Sequence, residues 1–113
     1  MSGAYIYDGY TEMFRLKEAP GLYEEINAEI RPKTAQEVSR MSAVIDKIDG
    51  ETQRRRAADF LVPHVISWDL KDQKGDILPI TVETLLRLRQ QVYSWILNCV
   101  CGNVARLEED RKN

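Results

Sequence analysis

Histidine is nearly missing from this chain: His64 stands alone among 113 residues, with two cysteines and two tryptophans. One imidazole and a single C-x-C pair, Cys99 and Cys101, cannot make up two ligand pairs for a structural metal, and His64 lies far off in sequence. The two thiols read instead as small apolar side chains on a helix. No run approaches the roughly 18 apolar residues that a membrane span requires. The start, "MSGAYIYDGY", has neither the basic region nor the apolar region of a secretory signal. A formal net charge of −2 and a pI of about 5.4 argue against a dedicated nucleic-acid binder. The P-loop, the Rossmann glycines, the H-E-x-x-H pair and the EF-hand loop are absent as well. The expectation is a cytoplasmic protein with no metal, no cofactor, no membrane contact and no nucleic-acid partner.

What is present is ordinary globular material, 43% hydrophobic and 30% charged, enough for one domain with one modest core. Residues 1–9 read as a flexible tail. In "INAEI", Ile26, Ala28 and Ile30 alternate with Asn27 and Glu29, the period of a half-buried strand. Pro20-Gly21 is a turn signal, so residues 10–31 should form a β-hairpin with strands near 10–17 and 23–31, closed by Pro32. Thr34 and Glu37 make a capping box for a helix over 34–48, which buries Val38, Met41, Val44 (or Ile45) and Ile48. A second helix over 52–68 follows from Ala57, Leu61, Val65 and Trp68, spaced four, four and three. Pro63 should either bend this helix or restart it. Residues 69–80 form a hinge, a loop or a small ribbon turning at "QKG". A last helix over 82–107, capped by Thr81, carries a broad apolar face and is weakened at Gly102. Residues 108–113 form a frayed, charged tail. The fold expected is α+β and helix-dominated, an N-terminal β-hairpin packed on three helices.

Two stretches invite a chemical reading. His64 has Ser67 and Asp69 close in sequence, but a catalytic triad is a geometry drawn from separate elements, and no nucleophile elbow accompanies this one. A histidine that packs and bonds a backbone carbonyl is the commoner case. Arg54, Arg55 and Arg56 stand 100° apart around a helix, so they fan out and make no flat phosphate-binding patch. No catalytic residue is assigned. The surplus lies in apolar helix surface: the last helix could cover a core on one side and offer Tyr93, Ile96, Val100 and Val104 to a partner on the other. Trp68 and Leu70 would anchor the hinge.

The order of segments, "IRPKTAQE", "FLVPHVISWDL", "KGDILPIT" and "ETLLRL", resembles the small tail assembly chaperones of long-tailed bacteriophages and prophages. The likeness covers about residues 22–98, with Trp68-Asp69-Leu70 and Leu78-Pro79-Ile80-Thr81 as its most telling parts. The cysteine-containing last helix with its charged tail departs from the pattern. The resemblance implies a non-enzymatic role: binding the tape measure protein in the host cytoplasm while tail-tube subunits assemble around it. It further implies a homo-oligomer, absence from the mature virion, and in some members a longer form made by ribosomal frameshifting. A structural virion component, such as a tail or head-tail connector protein, is the alternative.

Overall fold

Pro20 and Gly21 reverse the chain as a type II turn requires, proline at the second position and glycine at positive φ (+84°) at the third. The turn is closed by the Leu22 N–H on the Ala19 carbonyl at 2.8 Å. In a computed structural model that describes residues 5–48 and 50–102, this turn joins strands β1 (Glu12–Leu16) and β2 (Ile26–Ile30) in the expected antiparallel hairpin. Alternation along β2 puts Ile26, Ala28 and Ile30 inside. Residues 5–9, expected as tail, lead into a turn in which the Tyr10 N–H meets the Tyr7 carbonyl at 3.1 Å, and β1 begins at Glu12 instead of residue 10.

Helix α1 (Ala35–Ile45) begins where the capping box requires. The Thr34 hydroxyl accepts the Glu37 N–H (3.2 Å) and the Glu37 carboxylate accepts the Thr34 N–H (2.9 Å). Met41 is its one buried residue.

The helix expected over 52–68 ends much earlier. Helix α2 (Gly50–Leu61) gives way to a 3-10 turn, Val62–His64, and then to a third strand, β3 (Val65–Trp68), antiparallel to β2. Pro63 therefore neither bends the helix nor restarts it; it sits in the tight turn that stops it. The misleading signal was the spacing of Val65 and Trp68. Glu29 pairs with Ser67 but Ile30 pairs with Val65, so Ile66 is the extra residue of a β-bulge. The bulge turns both Ile66 and Ser67 outward and returns Trp68 to the inner face. Three residues from one buried position to the next imitates a helical period.

Residues 69–80 do form a small ribbon. Lys71 bridges Ile77, and Gly75 takes φ +89° at the turn, where its N–H meets the Asp72 carbonyl. The long last helix divides in two. Helix α3 (Val82–Leu86), capped by the Thr81 hydroxyl, stops at Arg87, and α4 (Gln90–Cys101) starts after an extended Arg89. The break lets α3 lie against α2 with Leu85 fully buried, while the Arg89 guanidinium reaches the Leu22 carbonyl of the hairpin turn at 3.1 Å. No proline or glycine signals it. Gly102 ends α4 in the left-handed region (φ +80°), the usual glycine stop. Val104 and the rest of the expected extension to 107, with the tail at 108–113, lie outside the described residues.

Among the described residues the fold is thus α+β, with a three-stranded antiparallel sheet in the order β1-β2-β3 and four α-helices. Phe14, Ala28 and Trp68 form one row across its inner face. That row belongs to one core with Leu61, Leu85, Ile96, Cys99 and Val100.

Candidate functional site

Trp68 and Leu70, expected at the hinge, and Asp69 between them each make a specific bond to a neighbouring segment. The Trp68 ring is buried beside Ala28, and its indole N–H donates to the Leu78 carbonyl at 2.8 Å, fixing the returning arm of the ribbon. Leu70, half-buried, accepts the Leu78 N–H at its carbonyl (2.9 Å). Asp69 grips Asn27 with both carboxylate oxygens, taking its backbone N–H (2.9 Å) and its amide N–H (3.1 Å). The carboxylate considered for a triad is therefore spent on holding β2.

His64 is buried, and both ring nitrogens are engaged. Nδ1 faces the Arg31 carbonyl at 2.7 Å; a carbonyl only accepts, so Nδ1 carries the proton. Nε2 then accepts from the Lys33 ammonium at 3.0 Å. Burial pushes the imidazole below its ordinary value, and the Lys33 charge adds to that; the Arg31 carbonyl pulls the other way. Burial likewise lowers Lys33. Ser67 points outward on β3, so no hydroxyl faces the ring in the way a triad would need.

The expected partner face on the last helix is consumed internally. Ile96 and Val100 have no accessible surface, and Tyr93 retains 5%. The break at 87–89 accompanies an α4 orientation in which Ile96, Cys99 and Val100 lie wholly in the core. Cys99 is also fully buried, its thiol pushed up to about 12 by burial, and Cys101 is half-buried with its thiol raised for the same cause.

An open groove does exist one step around that helix. It runs between α1, α2 and α4 and encloses about 320 Å³. Its apolar surface comes from Met41, Ile45, Ala57, Tyr93 and Leu97. Polar side chains form the rim, and Arg54, Gln90 and Ser94 are bonded to one another. Arg54 lies over the Tyr93 ring, 5.1 Å from its centroid, and donates to Gln90 at 2.7 Å. Gln90 donates in turn to Ser94 at 3.0 Å, and Gln53 caps the end of α1 through the Ile45 carbonyl at 3.2 Å. These bonds tie α2 to α4 and to the end of α1, and Arg54 covers part of the Tyr93 ring. The α4 side of the groove is Gln90, Tyr93, Ser94 and Leu97, a one-sided helical stripe in which only Tyr93 was expected. Leu97, apolar and four residues from Tyr93, was legible at that spacing, whereas polar Ser94 carried no such signal.

Among the described residues, no group of histidine, cysteine and carboxylate side chains is placed to hold a metal ion, and no helix is long and apolar enough to cross a membrane. Comparison with protein-family models, curated proteins and solved structures finds no match.

Proposed function

We propose that this domain is a non-enzymatic binding module that holds an amphipathic helical segment of another protein in the groove between α1, α2 and α4. One observation carries the reading: an apolar strip bounded by three helices with a polar rim, of the form that receives the apolar face of a helix. The segment order that resembles tail assembly chaperones names the partner class, the tape measure protein of a long-tailed phage or prophage. Such a role places the chain in the host cytoplasm and outside the finished virion, as a homo-oligomer that works while tail-tube subunits arrive. Ser94 and Leu97 replace Ile96 and Val100 as the contact residues, because charged replacements of the latter two would test folding and not binding.

A photoreactive side chain at Ser94, on the groove wall, tests this when the chain is co-expressed with a tape measure protein of the proposed class. Crosslinks to one helical segment are expected. Crosslinks absent at Ser94 but present on the exposed sheet face, at Met13, would move the site; recovery of the protein in purified particles would favour a structural component instead.

A further inference from the structure

We propose that Lys33 and His64 form a one-proton lock that holds the start of α1 against the end of α4, and that a second proton opens it. The lock is independent of what the groove holds, since it concerns only how α1 is fixed.

Four residues, 31–34, carry the chain from β2 into α1. The Arg31 N–H donates to the His64 carbonyl at 2.8 Å, and the Arg31 carbonyl accepts from His64 Nδ1 at 2.7 Å. Pro32, buried, has no N–H to place. The Lys33 N–H donates to the Val100 carbonyl in the last turn of α4 at 2.8 Å, and its ammonium donates to His64 Nε2 at 3.0 Å. That ammonium also lies 5.5 Å from the centroid of the Phe60 ring. His64 thus brackets the connector from both sides, and the connector in turn is bonded to α4. With Met41 as its one buried side chain, α1 has little other anchorage.

The arrangement works with one proton between the two nitrogens. A doubly protonated imidazole has no acceptor at Nε2 and would present a donor to another donor, two positive charges facing each other in a site less than a tenth exposed. The surroundings do not neutralise a second charge. Arg31 at the end of β2 and Arg40 on α1 add positive charge. Glu37 on α1 opposes them, but its carboxylate already serves the Thr34 N–H, a bond that holds its pKa below the usual range. Cys101 on α4 faces Lys33 with a thiol that burial keeps protonated. The sign follows. His64 takes its proton less readily in the fold than in the unfolded chain, where its pKa is about 6.5. The His64 contribution is complete above that value and is lost as the pH falls toward the lower folded value.

His64 is the only histidine, so its ring nitrogens report without overlap in nitrogen-15 spectra of the whole chain. The proposal expects the Nδ1–H form at neutral pH and a titration midpoint below that of free imidazole. As His64 takes up its proton, hydrogen exchange at the Lys33 amide should rise about tenfold or more while the Ala28 amide in β2 stays protected. His64→Gln, which cannot titrate, and Lys33→Met, which removes the opposing charge, should each abolish the step. In Lys33→Met the imidazole midpoint should also move up. The Nε2–H form at neutral pH, an unshifted midpoint, or Lys33 and Ala28 losing protection together would overturn the proposal.

Discussion

The core and the α1 layer are held by different forces. Around β2 and α4, Ile30, Leu61, Leu85, Ile96 and Val100 are all fully buried, and apolar burial holds the elements together. Around α1, a single buried methionine is supplemented by a capping box, a glutamine on the last carbonyl and the Lys33–His64 bonds. Burial is non-directional and insensitive to pH, whereas hydrogen bonds depend on geometry and protonation. A domain built this way has a stable body and one adjustable wall. The groove lies between the two.

Substitutions can break this contrast from the strong side first. Ile96→Ala should cost about 2–5 kcal/mol in urea unfolding, because the surrounding core relaxes only in part around the cavity. Trp68→Phe keeps the apolar ring but strands the Leu78 carbonyl; a loss of about 1–3 kcal/mol is expected, with faster proteolysis in the 71–77 ribbon. If Trp68→Phe left ribbon cleavage unchanged, the indole bond would not be the anchor. Thr34→Ala should cost about 1 kcal/mol, and the effect should be local: amide exchange rises in α1 while β2 keeps its protection. Equal loss in both regions would merge the two into one cooperative unit and end the comparison. Arg55→Ala, which removes an exposed ion pair with Glu83 at 3.7 Å, should leave the unfolding midpoint unchanged.

The same contrast explains what could be read from sequence. The hairpin, the α1 cap and the ribbon were legible because each rests on local chemistry: the alternation of Ile26, Ala28 and Ile30, the Thr34–Glu37 box, and glycine at a positive-φ turn. The Val65–Trp68 segment was misread because a bulge gave a strand a three-residue spacing, although β-branched Val65 and Ile66 favour a strand. The break at 87–89 carries no local signal at all, since "LRLRQQ" is good helix sequence and only the packing of α3 on α2 interrupts it. That break decided the site. Once α4 is re-aimed, the widest apolar stripe becomes core, and the surface left for a partner is the narrower one through Tyr93, Ser94 and Leu97. The role of Asp69 was hidden for a related reason: its partner, Asn27, is 42 residues away.

The most direct test fills the groove without touching the core. Ala57 is half-buried on the groove surface, so Ala57→Arg places a long cationic side chain where the partner helix should lie. Co-purification of this variant with the proposed tape measure partner should fall at least about tenfold, a change of about 1.4 kcal/mol, with the thermal midpoint unchanged. Undiminished co-purification by a folded Ala57→Arg variant would contradict the groove as the binding site.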